Sequence, residues 1–161
     1  MSSQESTHTQ FMTRAIQLSQ ANIDRGTGGP FGAVIVKNNQ IVGEGWNKVT
    51  SNNDPTAHAE VEAIRAACAS LKNFDLSGCV IYTSCEPCPM CLAAIYWARI
   101  DTIYYANTKN DAAHIQFDDD FIYQEIPKPV QQRKIPMKQI LRDQALVVFN
   151  NWANKTETIP Y

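Results

Sequence analysis

Two short segments of the 161-residue chain carry side chains that bind metal ions and transfer protons. The first segment holds His58 and Glu60, and the second holds Cys88 and Cys91. Zinc accepts imidazole nitrogen and thiolate sulfur in a tetrahedral arrangement, so His58, Cys88 and Cys91 make a suitable ligand set. Three protein ligands leave a fourth position for water, as in catalytic zinc sites. Glu60, close to a ligand in sequence, is then the candidate general acid and base.

The spacing of these residues requires both segments to lie at helix N-termini. Pro89 suits the first turn of a helix, so Cys88 and Cys91 lie at its start, where the helix dipole favours thiolate over thiol. Residues i and i+2 of a regular helix point about 200° apart. His58 and Glu60 therefore face one cavity only if that cavity lies at the mouth of their helix.

A closed structural zinc site is the alternative. Cys85 precedes Cys88 by three residues and would complete a Cys₃His set, a common structural arrangement. That interpretation gives Glu60 no task, and a chain of this length buries a core without the help of a metal. The catalytic interpretation leaves Cys85 beside the site without binding metal. It leaves the remaining two cysteines, Cys68 and Cys79, as core residues.

Helices and strands alternate along the chain and position these segments. Hydrophobic periodicity and turn residues predict a helix over 7–24, strands over 31–37 and 41–46 with a turn at Asn38-Asn39, and a helix that opens at 54–56. They further predict a strand over 79–84, a helix over 89–99, a strand over 102–106, and helices over 111–116 and 144–154. This alternation predicts an α/β fold in which helices cover a sheet.

The same pattern describes the first two helices in more detail. In the first helix the apolar spacing selects Phe11, Ala15, Leu18 and Asn22. The second helix is expected to begin at the run Asp54-Pro55-Thr56, with Asp54 or Thr56 as its N-cap. Its buried stripe is expected to consist of Val61, Ile64, Cys68 and Leu71.

Composition and charge narrow the class of protein. The chain carries 14 Lys and Arg against 16 Asp and Glu, a balance that argues against a nucleic-acid backbone as the main partner. The N-terminus is polar and lacks a secretory signal, and no apolar run approaches the length of about 20 residues that spans a bilayer. We therefore expect a single cytoplasmic domain over 1–161 in which clustered cysteines bind metal.

The segments around the candidate site resemble those of the cytidine deaminase superfamily. These segments are 52–60 (NNDPTAHAE) and 82–91 (YTSCEPCPMC). Three more extend the likeness over nearly the whole chain: 29–33 (GPFGA), 94–99 (AIYWAR) and 117–123 (FDDDFIY). Within the superfamily the chain looks like the small bacterial zinc-dependent guanine deaminases, and the segment 117–123 and the terminal tyrosine indicate that branch.

The resemblance implies a fold, an assembly and substrate contacts. The fold is a three-layer α/β/α arrangement with a mixed five-stranded sheet, and the assembly is a homodimer in which the tail from about residue 154 reaches the partner subunit. Asn47 would hydrogen-bond the purine, Phe31 and Trp97 would line its pocket, and Asp119 would hold a polar edge of guanine. Tyr161 would close the partner's site. The implied reaction converts guanine to xanthine and ammonia with one Zn²⁺ per chain.

Other interpretations stay open at this point. Asn47 also suits a turn, Phe31 and Trp97 a plain core, and Asp119 a solvated surface, with Asp118 and Asp120 as rivals for its contact. A tRNA adenosine deaminase or a cytosine deaminase would use the same zinc residues. A non-catalytic zinc-binding module is the alternative from another class of protein.

Overall fold

The computed structural model describes residues 3–160. Its elements follow in the order α1 (Ser3–Arg25), β1 (Gly32–Lys37), β2 (Gln40–Trp46), α2 (Val49–Asn52), α3 (Ala59–Leu71), β3 (Cys79–Cys85), α4 (Pro89–Trp97), β4 (Thr102–Asn107), α5 (Lys109–His114), α6 (Asp120–Glu125), a 3₁₀ turn (Val130–Gln132) and α7 (Arg142–Ala153). The chain separates into two compact units, one ending at Asp119 and one beginning at Asp120. The single domain over 1–161 stays a prediction.

The sheet has the strand order β2-β1-β3-β4. Strand β1 runs antiparallel to both β2 and β3, whereas β3 and β4 are parallel, so the sheet is mixed as expected. The expected count of five strands is wrong for the described residues, which form four. Every element between β4 and residue 160 is helical, and the sequence there carries no alternating apolar pattern that would predict a strand.

Alternate residues of β1 face opposite layers and create two cores. Ala33 and Ile35 pack with α3 and α4 on one face of the sheet. Val34 and Val36 pack on the other face with the apolar side of α1, where the residues whose spacing predicted this helix are all buried: Phe11, Ala15, Leu18 and Asn22. Helices therefore cover both faces of the sheet, and the three-layer arrangement is confirmed.

Helix α3 begins later than the sequence pattern predicts. Its first residue is Ala59 and its N-cap is His58, so the predicted cap at Asp54 or Thr56 is wrong. The Asp54 carboxylate instead accepts hydrogen bonds from the Thr56 backbone amide at 2.8 Å and from its hydroxyl at 2.7 Å. Such a local turn is the usual competitor of an N-cap for an aspartate side chain. The short helix α2 was not predicted.

The buried face of α3 is made of alanines, which corrects the predicted stripe. Ala59, Ala63 and Ala67 are fully buried, whereas the predicted residues are half-buried at the edges of that face: Val61, Ile64, Cys68 and Leu71. The alanines face two glycines of β2. A Cβ atom at Gly45 would lie 2.1 Å from the Ala59 carbonyl oxygen, and one at Gly43 would lie 2.5 Å from that of Ala63. Small residues on both sides let the helix backbone approach the sheet closely.

A tight two-residue turn joins β1 to β2. Asn38 and Asn39 both adopt positive φ between β1 and β2, as a type I′ turn requires.

In the C-terminal unit Glu125 pairs with Lys128 and accepts a hydrogen bond from the Lys134 backbone amide at 2.6 Å. Within residues 3–160 no helix combines the length and the apolarity that crossing a bilayer requires.

Candidate active site

The candidate metal ligands lie at the N-termini of α3 and α4, as the sequence predicts. His58 is the N-cap of α3 and Cys88 is the N-cap of α4, and both have an extended backbone. Pro89 occupies the first helical position of α4, where its missing N–H is not needed, and Cys91 lies in the same first turn. The two helix mouths open on the same space, so ligands from distant parts of the sequence meet there.

The distances between the ligand atoms fit a tetrahedral zinc site. His58 Nδ1 lies 3.6 Å from Cys88 Sγ and 3.5 Å from Cys91 Sγ, and all three atoms lie within 4.8 Å of one another. A tetrahedral ion with a Zn–S distance of about 2.3 Å and a Zn–N distance of about 2.05 Å places its N and S ligands about 3.6 Å apart. The donor types and their separations therefore both suit Zn²⁺.

The electrostatics of the ligand group favour deprotonation of one thiol. The pKa of Cys88 is lowered to about 4, chiefly by the hydrogen bond from Cys91 and also by that from His58. The same contact with Cys88 raises the pKa of Cys91, and burial adds to that rise. The hydrogen bond between His58 and Cys88 raises the pKa of His58. Metal binding requires both thiolates, so it would release the proton that these side chains share.

Glu60 lies beside the ligand group and is not part of it. Its side chain is buried within the first turn of α3, with only 6% of the residue exposed. Burial is the largest cause that raises the pKa of its carboxyl group. A carboxyl group with a raised pKa can accept a proton and give it back, which is what general acid–base catalysis near neutral pH requires.

Thr83 is a contact of Glu60 that the sequence analysis missed. Its hydroxyl, buried on β3, lies 3.4 Å from Glu60 Oε1 and 3.0 Å from the carbonyl oxygen of Cys85. A hydroxyl can donate to one of these oxygens and accept from a protonated carboxyl. The only signal in the sequence is that Thr83 lies two residues before the end of a strand that leads to the ligands.

Cys85 lies at the end of β3 next to the site, as predicted. Among residues 3–160 the group that could hold a metal comprises His58, Cys88 and Cys91, without Cys85. The Cys85 thiol instead approaches the carbonyl oxygen of Thr108 at 3.6 Å, and burial raises its pKa to about 11. Because the Cys85 sulfur lies outside the group of atoms that could share one ion, the open three-ligand set fits better than the closed Cys₃His set.

Asn47 is buried, with its side-chain oxygen held by the backbone. Oδ1 accepts hydrogen bonds of 3.2 Å from the backbone amides of Gly29 and Val49. Because the oxygen binds the backbone, Nδ2 is the part of the side chain that remains to donate to a ligand. The Asn47 backbone is also held, since its carbonyl accepts from Asn22 and its amide donates to Phe31.

Phe31 and Asp119 both belong to the first compact unit. Phe31 is half-buried against the core and forms an edge-to-face pair with Phe117, with ring centroids 5.0 Å apart. Burial raises the pKa of Asp119, and the nearby charge of Cys88 raises it further. Asp119 therefore lies close enough to Cys88 for the two charges to interact.

The structure places the other predicted residues outside this cluster or leaves them undescribed. Trp97 is the last residue of α4 and is 67% exposed, about 9 Å along the helix axis from Cys91. Its role in a pocket stays a prediction. Tyr161 lies outside the described residues. His114 is exposed, and its Nδ1 lies 2.7 Å from the carbonyl oxygen of Asn110.

A mixed sheet between helical layers, with an open His-Cys-Cys group beside a buried carboxylate, defines a zinc-dependent hydrolase site. The model of the cytidine and deoxycytidylate deaminase zinc-binding region matches residues 5–107. The chain therefore belongs to the zinc-dependent cytidine and deoxycytidylate deaminase family.

Three comparisons place the chain within this family. The guanine deaminase of Bacillus subtilis (strain 168) is 54% identical over 147 residues, which cover 91% of this chain and 94% of that protein. The X-ray structure of guanine deaminase from Bacillus subtilis has a TM-score of 0.93 and 52% identity, with coverage of 96% of this chain and 98% of that one. A tRNA-specific adenosine deaminase of Buchnera aphidicola subsp. Schizaphis graminum is 33% identical, over 76% of this chain and 79% of that protein.

Proposed function

We propose that the protein hydrolyses free guanine to xanthine and ammonia. The observation that carries the deaminase chemistry is the three-ligand group at the mouths of α3 and α4, with Glu60 buried beside it. The choice of guanine is supported by the 54% identity with a guanine deaminase over nearly its whole length, against 33% for the tRNA deaminase. The formal net charge of −2 supports a small substrate better than an RNA.

His58, Cys88 and Cys91 would hold one Zn²⁺ per chain. When bound, the ion would supply the chemistry of lowering the pKa of a water molecule, so that it becomes a nucleophile at neutral pH. The extended N-cap backbone of His58 and Cys88 aims both side chains out of their helices. The positive ends of two helix dipoles favour the thiolate forms that such binding needs.

Glu60 moves the protons of the reaction. Its carboxylate accepts a proton from the attacking water and delivers it to N3 of guanine while the oxygen adds at C2. It then takes the proton of the new hydroxyl group at C2 and gives it to the amino group, which leaves as ammonia, so that guanine and water become xanthine and ammonia. Its burial in the first turn of α3 excludes competing water, and Thr83 lies against one of its oxygens.

Asn47, Phe31 and Asp119 would bind the base. The fixed orientation of Asn47 presents Nδ2 to an acceptor atom of the purine, while the carboxylate of Asp119 accepts from ring or amino donors. Phe31 offers an aromatic surface to the ring. We place Trp97 and Tyr161 in the pocket on resemblance alone.

We further propose a homodimer that acts in the cytoplasm. In support, the end of α4 and strand β4 each expose a large aromatic side chain, with Tyr96 76% and Tyr105 50% exposed. The resemblance implies a second copy of the chain as partner, and we propose that it covers these side chains. All five cysteines are free, which suits a reducing compartment.

A substrate panel tests the function. Purified protein with one zinc per chain is incubated with guanine, adenine, cytosine, guanosine and tRNA, and ammonia release is measured. Guanine turnover far above that of the other compounds is expected. Inosine in tRNA without guanine turnover would leave the zinc chemistry standing and refute the choice of base. No ammonia from any compound would favour a non-catalytic zinc module.

A complementation experiment tests the dimer and its tail. A chain that lacks its last residues should keep zinc and dimerise but lose most guanine turnover. Mixing it with Glu60→Gln under subunit exchange should restore activity, because each mixed dimer joins an intact site to an intact tail. Mixed dimers that form without activity would show that the tail does not act on the partner.

A further inference from the structure

The backbone of Gly29 lies beneath two aromatic rings. A Cβ atom at Gly29 would lie 3.1 Å from Phe117 Cζ and 3.1 Å from Phe31 Cε2, so the absence of a side chain is what lets both rings pack there. The two rings meet edge to face, with an interplanar angle of 89°. This arrangement is the favourable geometry for an aromatic pair. The para carbon of Phe117 is the atom that faces Gly29.

The same glycine fixes Asn47. Its backbone amide donates to Asn47 Oδ1 at 3.2 Å, and its carbonyl oxygen accepts from Asn22 Nδ2 at 2.7 Å. Asn22 is buried on α1 and also donates to the carbonyl oxygen of Asn47 at 2.9 Å. These hydrogen bonds fix the backbone of Gly29. An aromatic ring that packs on it therefore keeps a fixed position relative to Asn47.

Phe117 lies on the segment that leads to Asp119. This segment follows α5, whose N-terminus is tied to the ligand-bearing end of β3, because the Lys109 amide donates to Glu86 at 3.0 Å. At the other end of α5, Gln116 adopts a φ of 72° and the Phe117 amide donates to the carbonyl oxygen of Ala112 at 3.0 Å. These turns reverse the chain and direct it back towards Phe31.

We propose that Phe117 is a positioning residue for Asp119. Its ring, packed over Gly29 and against Phe31, holds the segment 115–119 so that the carboxylate of Asp119 faces the base whose other side Asn47 binds. The inference rests on the proposed function, since it requires Asp119 to contact the substrate. Phe117 itself does not contact the base in this proposal.

The test is a double-mutant cycle on guanine turnover. Asp119→Ala should lower kcat/KM for guanine about 10- to 100-fold, because a hydrogen bond to a charged group is lost. Phe117→Ala should lower it about tenfold, and the double variant should be no slower than Asp119→Ala within about twofold. Phe117→Leu, which keeps apolar contact, should fall between Phe117→Ala and the unchanged protein.

The matched control is Phe74→Ala. Phe74 and Phe117 are both phenylalanines with 46% of their surface exposed, and Phe74 lies in the loop after α3. Phe74→Ala should leave kcat/KM unchanged within about twofold. Zinc content and thermal midpoint, measured for every variant, separate positioning from structural damage. A positioning residue changes kcat/KM while the zinc stays at one per chain.

Three results would overturn the proposal. Losses that multiply in the double variant would mean that Phe117 acts on the base directly or through another residue. A Phe117→Ala variant with normal kcat/KM, alongside an impaired Asp119→Ala, would mean that Asp119 needs no such support. An unimpaired Asp119→Ala would leave Phe117 nothing to position, while guanine turnover by the unchanged protein would still stand. Absence of that turnover would refute the proposed function as well.

Discussion

Replacement of Gly45 by alanine should separate the packing of α3 from its chemistry. The added Cβ would lie 2.1 Å from the carbonyl oxygen of Ala59 and 2.4 Å from the amide nitrogen of Ala63. Because ordinary contacts of this kind begin near 3.4 Å, the helix must retreat by more than about 1 Å. Both contacts are backbone atoms, so no side-chain rotation relieves them.

The expected losses follow from this displacement. Overpacking of a core costs about 1–3 kcal/mol, and a backbone clash of this size lies at the upper end of that range. Ala59 lies between His58 and Glu60, so the displacement reaches both. A misplacement of about 1 Å in a catalytic geometry can lower turnover about 100-fold. We expect Gly45→Ala to lose about 3 kcal/mol of unfolding free energy in urea and about 100-fold in kcat.

Gly43→Ala is the control, because it presses on the same helix one turn farther from the ligands. Its Cβ would lie 2.5 Å from the carbonyl oxygen of Ala63. It should cost a similar unfolding free energy but less kcat, measured as ammonia release at saturating guanine with zinc content determined in parallel. Equal losses of kcat in the two variants would mean that turnover falls through instability alone. A Gly45→Ala variant with native stability and kcat would refute the close packing of α3 on β2.

Three residues of the site give further predictions, and an ion pair between α1 and β2 gives a fourth. Glu60→Gln should keep its zinc and fold yet lose about 10²–10⁴-fold in kcat; near-native turnover would exclude Glu60 as the proton carrier. Thr83→Val should lower kcat about five- to tenfold, and Thr83→Ser should restore most of it; equal activities would deny the hydroxyl a role. Cys85→Ser should retain one zinc per chain by elemental analysis, whereas stoichiometric loss would favour the closed site. Arg14 lowers the pKa of the Glu44 carboxyl through their hydrogen bond, so this stabilisation is present above the ordinary glutamate pKa and is lost as pH falls through the lowered value. Glu44→Gln should therefore cost about 0.5–1 kcal/mol at pH 7 in urea unfolding, and this cost should disappear once the pH lies below the lowered pKa of Glu44; a cost that does not vary with pH would contradict the ion-pair account.

The ligands could be predicted from sequence because their chemistry is local. The spacing of Cys88 and Cys91 after a strand, with Pro89 between them, allows few arrangements other than a helix mouth. The start of α3 could not be predicted in the same way. Asp54 has two uses for its carboxylate, a helix cap and a tight turn, and only the fold decides between them.

Other parts of the fold depend on distant residues that periodicity does not reveal. The buried face of α3 consists of alanines because glycines of β2 lie opposite, and neither segment alone predicts that match. Thr83 contacts Glu60 across 23 positions of the chain, with no motif to mark it. The fifth strand came from the resemblance, and no alternating pattern after Asn107 supported it.

The helix caps at His58 and Cys88 tie the fold to the supply of metal. Neither residue forms a side-chain N-cap hydrogen bond, although a serine or aspartate in such a position is worth about 1 kcal/mol. The chain therefore lacks this N-cap stabilisation at the two positions that hold the metal ligands. Because an ion that binds only the folded chain stabilises it by mass action, the free zinc concentration of the cell would set how long each folded copy survives. Zinc starvation would then reduce the amount of this protein as well as its activity.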